Sequence, residues 1–401
     1  MALKLTLHFE VLTPLYLGGA DQAAELRPPA FKGLLRFWYR AVDPRYRQHE
    51  DAFFGGTAEK TGQSRFLLRI DGAKPEMVSW ERLGAGKFSQ GRGRDTRNGL
   101  NYLGFPFHML RNKGRTAIAP GYTFHVNCLL PRVGDGEDAQ AARRRLAAAW
   151  WLLAHLGAAG SRSRRGFGAL ALTGWEAESD WPELAELPLL ATASSPEAGR
   201  AALHQGLAVL RDWSGGWSPD QKGVAHPHLG SAFRFKVLDT AYGRSDWAKA
   251  LAEMGSAMQE YRLRRAPDYQ MVKDHVLAMN RQGDRTLQAT PPRATFGLPL
   301  TFRYSSVKGA PVMLVPFGGT GQKNFERHGS LLLLRPVAVG GKLYPLYVRM
   351  DGAVPGIDPP GAVPGIDPPG AVRGQGRGNL FPAGQNAMDA YFDTLGSGKR
   401  A

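Results

Sequence analysis

The sequence predicts an α+β protein of two ferredoxin-like (RRM-like) modules with long loop insertions. Three observations predict it. Leu3-Lys4-Leu5-Thr6-Leu7-His8-Phe9 alternates apolar and polar residues, as a half-buried strand does. Two helical stretches, near residues 31–42 and 139–156, carry apolar stripes at helical spacing. Around them the elements run strand, helix, strand, strand, helix, strand, the order of a ferredoxin-like unit, and the second half repeats it more loosely.

Each element has its own signal. A turn at Gly18-Gly19 and an extended Arg27-Pro28-Pro29 lead into the first helix, whose Phe31, Leu34, Leu35, Trp38 and Val42 fall on one face. Residues 65–70 read as a second strand. Residues 84–104 are polar, basic and glycine-rich, and read as a long loop or protruding hairpin. Pro120-Gly121 is a turn pair ahead of a strand at 122–130. The helix over 139–156 places Leu146, Ala149, Trp150 and Leu153 on one side and closes at Gly157. A strand at 169–175 ends the unit. In the second half, strands are expected at 233–238, 298–304, 330–339 and 343–350, with a helix over 245–264. A boundary within 213–222 divides residues 1–212, the module with the basic helix and glycine-rich loop, from 213–401. A nine-residue segment, Gly352 to Pro360, recurs as Gly361 to Pro369, so 351–378 reads as a flexible Pro/Gly repeat loop in the second module.

Charge narrows the function. Of 401 residues, 51 are Lys or Arg and 35 Asp or Glu, a formal net charge of +16 that favours polyanionic partners. Hydrophobic residues at 43% supply a core and argue against wholesale disorder. Cys128 is the single cysteine, which excludes an internal disulfide and a cysteine-based zinc site and fits a reducing cytoplasm. The longest apolar stretch, 147–156, is shorter than the ~20 residues a bilayer needs, so no membrane association is expected.

Three elements carry the charge. On the first helix Lys32, Arg36 and Arg40 stack at i, i+4, i+8 opposite the apolar face, with Gly33 beside them where a phosphate can approach the backbone. No carboxylate interleaves them in the helix, unlike the mixed signs of an ordinary solvated face. Gly160-Ser-Arg-Ser-Arg-Arg-Gly-Phe-Gly168 sets Arg162, Arg164 and Arg165 between Gly160, Gly166 and Gly168, so guanidinium forks and backbone N–H groups are available to phosphate, and the loop is expected to be exposed. It is neither a Walker A loop nor a dinucleotide fingerprint. Arg92, Arg94 and Arg97 occupy a third glycine-rich stretch, an arm or a plain solvent loop.

No catalytic residues, metal site or cofactor are predicted. No nucleophile elbow occurs. His226-Pro-His228 has a ligand-like spacing, but nothing nearby completes a site, and a turn with exposed imidazoles is the better reading. Asp21 and Glu25 precede the basic helix, where a cap or counter-charge is more ordinary than a divalent-ion site.

Thr13-Pro-Leu-Tyr-Leu-Gly-Gly-Ala-Asp21, Glu25-Leu-Arg-Pro-Pro-Ala-Phe-Lys-Gly-Leu-Leu-Arg-Phe-Trp-Tyr-Arg40 and the loop Gly160–Gly168, in this order, resemble the RAMP superfamily of CRISPR proteins. Within it they are most similar to subunit one of the type III-B (Cmr module) effector complex. Arg293-Ala-Thr-Phe-Gly-Leu-Pro299 and Glu326-Arg-His-Gly-Ser-Leu331 resemble further blocks of that subunit and add Arg293 and Arg327 to the RNA-binding candidates. The resemblance implies an antiviral ribonucleoprotein whose partners are guide RNA, target RNA and the other subunits. It attributes target cleavage to an Asp of a different, repeated subunit. The alternatives to RNA binding without chemistry are a guide-RNA-processing endoribonuclease and a structural cap without RNA contact.

Overall fold

The computed structural model describes residues 3–19, 23–43, 45–56, 62–91, 97–109, 115–131, 137–178, 181–217, 226–264, 270, 272–274, 277, 286–287, 291–298, 300–302, 312–314, 329–352, 373–374 and 386–396. In the first half these form β1 (Leu3–Val11), α1 (Pro28–Val42), α2 (Tyr46–Phe54), β2 (Leu67–Asp71), α3 (Gly99–Leu103), β3 (Thr123–Leu130), α4 (Glu137–His155) and β4 (Leu170–Ala177). The four strands make one antiparallel sheet in the order β2-β3-β1-β4. Alternation in β1 sets its register. Leu5 faces Cys128 and Phe9 faces Phe124 across the β1–β3 pair, and Leu5, Leu7, Phe9 and Val11 are all buried. A slip of one residue would turn this apolar set out to solvent.

Helices α1 and α4 cover the buried face. Arg27 is extended and Pro28 and Pro29 open α1, where a missing N–H costs nothing and a fixed φ is already helical. Phe31 of α1 and Trp150 of α4 meet Phe9 and Phe124 as one aromatic cluster. From Leu146 to Ala154, α4 is buried all round, as a helix must be that separates a sheet from a second packed layer.

The second half contributes α5 (Pro196–Trp213), β5 (Arg234–Val237), α6 (Trp247–Arg264), β6 (Leu332–Val339), β7 (Lys342–Arg349) and α7 (Ala387–Thr394). Its sheet is antiparallel and, among the described residues, three-stranded, in the order β6-β7-β5. Leu300–Phe302 pairs separately with Val312–Leu314. Every residue of β6 is buried, Arg335 included, so this strand is sandwiched on both faces. The main core cluster runs from Leu5 through to Leu395, and a smaller one joins Leu12 and Ala169 to Tyr242 and Leu343, so the halves share their interior.

Arg335 is the main polar tie between them. Its guanidinium donates to the carbonyl oxygens of Ala154 (2.8 Å), Gly157 and Leu170, which places a cation at the C-terminal end of α4. That end carries unpaired carbonyls and the negative pole of the helix dipole, so an arginine there offsets both. Burial lowers its pKa to about 9.

Residues 84–104 correct one expectation. They include a short hairpin, Ser89–Gln90 with Arg97–Asn98, but also a 3-10 turn at Ala85–Phe88 and the helix α3. Gly99 lies against the backbone of α6 at Ala252 and Gly255, so the end of this stretch is an inter-half contact rather than a projecting loop. The duplicated segment lies outside the described residues, apart from Gly352.

Candidate RNA interface

Lys32, Arg36 and Arg40 lie along the outer face of α1, and each head group sits over a ring. Lys32 Nζ is 5.4 Å from the centroid of Phe66, Arg36 5.5 Å from Phe54, and Arg40 5.8 Å from Tyr46. Two of these rings come from α2, which folds back beside α1. α2 also brings a carboxylate that α1 lacks. Glu50 accepts two hydrogen bonds from Arg40, at 2.8 and 2.5 Å, and lies 3.1 Å from Arg36. The row is therefore not free of counter-charge, as the helix alone implied. Three cations against one carboxylate leave two net positive charges. Arg36 and Arg40 remain about one third exposed, at 31% and 36%. Lys32 also donates to Ser64 at 2.5 Å. Rings and Glu50 fix the cations in place, which reduces the side-chain entropy lost when a ligand binds. Gly33 is exposed, and a Cβ there would meet nothing within 4 Å, so the backbone beside the row is open.

The glycine-rich loop is different, and its expected exposure is not found. It lies in the seam between the halves. Arg162 donates to the carbonyl of Leu103 (2.6 Å), Arg164 to that of Ser330 (2.7 Å), and Arg165 to that of Phe296 (2.7 Å) and toward Met258 Sδ (3.3 Å). Burial lowers the pKa of all three, that of Arg165 to about 9. Gly160, Gly166 and Gly168 have φ of 79°, 89° and 67°; at Gly168 a side chain would strike the Ala159 carbonyl. Phe167 packs against Tyr16, Trp80 and Phe107. The glycines let the chain turn tightly enough to bury Phe167 and aim three guanidinium groups at backbone carbonyls. Because those carbonyls belong to distant segments, the sequence around the loop gives no sign of them.

His226 lies between row and loop. Its ring is tilted against Phe37 (4.7 Å) and Tyr46 (6.2 Å), while Arg164 lies over Phe37 and Arg40 over Tyr46. Desolvation, followed by the positive charge of Arg40 and Arg164, lowers its pKa to about 4, so it is neutral at pH 7. The expected exposed imidazoles are thus half-buried, and His228 is held near Asp351 at 3.9 Å. Among the described residues no group of three or more His, Cys, Asp or Glu is arranged to hold a metal ion. Among the described residues no helix is long and apolar enough to cross a membrane.

The remaining candidates divide. Arg97 lies 3.6 Å from Glu260 of α6 and supports the seam. Arg293 sits in the turn Pro292–Phe296, whose last carbonyl receives Arg165, so this block too belongs to the seam. Arg92, Arg94, Arg327 and Asp21 lie outside the described residues. Glu25 is 3.8 Å from Arg27, a counter-charge at the start of α1.

The RAMP superfamily model matches residues 8–171, which span the β1–β4 sheet, the basic row and the glycine-rich loop. The similarity to the RAMP superfamily thus lies in this N-terminal stretch. The chain is also 24% identical over 261 residues to the CRISPR system Cmr subunit Cmr1-1 of Pyrococcus furiosus, a match covering 62% of this chain and 68% of the relative. Its fold is similar to the crystal structure of apo Cmr1 from Pyrococcus furiosus, with TM-score 0.54 and 18% identity over 88% of this chain and 89% of that one. It is also similar to a chain in the cryo-EM structure of the type III-B Cmr-beta complex bound to cognate target RNA, with TM-score 0.52 and 14% identity over 87% and 94%. These likenesses show a mixed α+β fold with antiparallel sheets that reaches across both halves.

Proposed function

We propose that this chain is a RAMP-superfamily protein and a non-catalytic, RNA-binding subunit of a type III-B CRISPR effector complex in the cytoplasm. It would hold guide RNA, captured target RNA or both through phosphates, beside the other subunits of the complex. Its two halves are read as two ferredoxin-like modules, the β2-β3-β1-β4 sheet with α1 and α4 being the first. One observation carries the reading: a row of three cations on α1, each seated on a ring, with a net positive charge and an open glycine backbone beside it. Such a row suits a string of phosphates and reads no bases, as a subunit must when pairing between guide and target supplies the sequence specificity. The similarity to a chain of an RNA-bound Cmr-beta complex supports the same assignment.

Fluorescence anisotropy with a labelled single-stranded RNA tests it. Three phosphate contacts give log affinity a slope of about −2 against log salt, at −0.7 per contact. A flat response refutes phosphate binding.

A further inference from the structure

The second half opens a groove of about 850 Å³ between α5, β5 and α7. That volume falls in the roughly 300–1,000 Å³ range of sites that enclose small ligands. We infer that this groove takes one or two unpaired bases of single-stranded RNA, stacked on its rings with their phosphates at its cationic rim. The inference rests on the RNA-binding reading above but uses none of the residues of the α1 row.

The groove is built by a helix end. α5 begins at the cap Ser195, whose hydroxyl accepts from the N–H of Ala198 (3.2 Å), and ends in a tight reversal. Gly215 donates to the carbonyl of Asp212 (3.0 Å) and Gly216 to that of Arg211 (2.8 Å), with φ of 73° and 95°. This glycine-closed helix end turns the chain back and sets Trp217 edge-on to Phe233, 6.0 Å between centroids. On β5, Phe235 faces His204 at 4.7 Å. These rings are all at least partly exposed, and the indole N–H of Trp217 has no acceptor among the described residues. The floor is Phe392, with Arg234 and Lys236 above it at 4.8 and 5.3 Å.

Charge chooses the occupant. Arg211, Arg234 and Lys236 line the groove with Asp212, and two further carboxylates, Asp389 and Asp393, stand beside Arg234. Arg234 is paired with Asp389 and Asp393, and Lys236 donates to the carbonyls closing α7. Arg211 is exposed at the mouth and forms no ion pair among the described residues. An apolar peptide leaves that cation unmatched. Flat apolar groups joined by phosphates satisfy both rings and rim, the pairing that sequence-tolerant single-strand binders use.

The test uses the full chain and two labelled probes, octauridylate and an abasic ribose-phosphate oligomer of equal length. Stacking predicts that wild type binds octauridylate roughly tenfold tighter than the abasic probe. Trp217→Ala and Phe235→Ala should abolish that gap without changing abasic binding, and Trp217→Phe should restore most of it. Photocross-linking with 5-iodouridine RNA should map to Trp217, Phe233 or Phe235. A tenfold gap that survives both alanine variants, with cross-links elsewhere, overturns the groove assignment and leaves RNA binding standing. Equal binding of the two probes by wild type also overturns it and leaves the groove to a protein partner. Failure of both probes to bind at all overturns the RNA-binding reading itself.

Discussion

The α1 row and the glycine-rich loop look alike as sequence: three basic residues with glycine among them. In the folded chain they serve opposite ends. In the row, one carboxylate and three rings hold the cations yet leave charge facing water. In the loop, three backbone carbonyls consume the guanidinium groups, and two of them, at Phe296 and Ser330, tie the loop to the second half. Arginine and glycine in one motif therefore do not identify a phosphate site. What decides is whether nearby acceptors outnumber or fall short of the donors.

Replacing both Arg164 and Arg165 with Ala breaks the contrast most severely. It removes the donors to Ser330 and Phe296 in the seam, so a destabilisation of about 2–4 kcal/mol is expected from carbonyls left unsatisfied. Urea denaturation reads it. A variant as stable as wild type that has lost RNA affinity would return the loop to the ligand-binding class.

His226, between the two regions, gives a pH signature of the next size. Its folded pKa of about 4 lies below the ordinary 6.5, so the unfolded chain takes up the proton first as pH falls. Stability is whole above pH 6.5 and declines toward pH 4, by on the order of 2 kcal/mol from this group. His226→Gln should flatten that part of the pH–stability curve. An unchanged acid limb would mean that the imidazole is not held neutral between row and loop.

Arg36→Gln with Arg40→Gln should lower RNA affinity about tenfold at low salt and reduce the salt slope by about 1.4, for two lost contacts. Stability should fall as well, because the buried Glu50 carboxylate loses both of its cation partners. Large unfolding with unchanged RNA affinity would make the row a second stitch.

Lys32→Ala is the mildest. It should change the salt slope by about 0.7 and leave the denaturation midpoint nearly still, because its contacts are one hydroxyl and a ring face. An unchanged slope confines RNA to the arginines.

Much of the first half was legible in the residues. Alternation located β1, and the apolar stripes located α1 and α4 to within a few residues, because each is a local period imposed by one buried face. The partners of charged groups were not legible. Glu50 comes from α2, a short helix with no side-chain cap and no acidic first turn, and so with little to mark it. Leu103, Phe296 and Ser330 meet the loop only through the fold. α5 did carry a signal, with Ser195 as cap and Pro196 behind it, and it positions the groove that no motif announces. Residue type marks where charge is available; the fold alone fixes which charges are already matched.

Arg335 extends this into time. Its carbonyl partner Gly157 lies 178 positions earlier in the chain. At ~5–20 residues per second, translation leaves the end of α4 uncapped for roughly 10–40 s before its cation is even made. Throughout that interval the stretch from Leu146 to Ala154, buried all round in the finished fold, waits with its second layer absent. The first half therefore completes its packing only once β6 has been made.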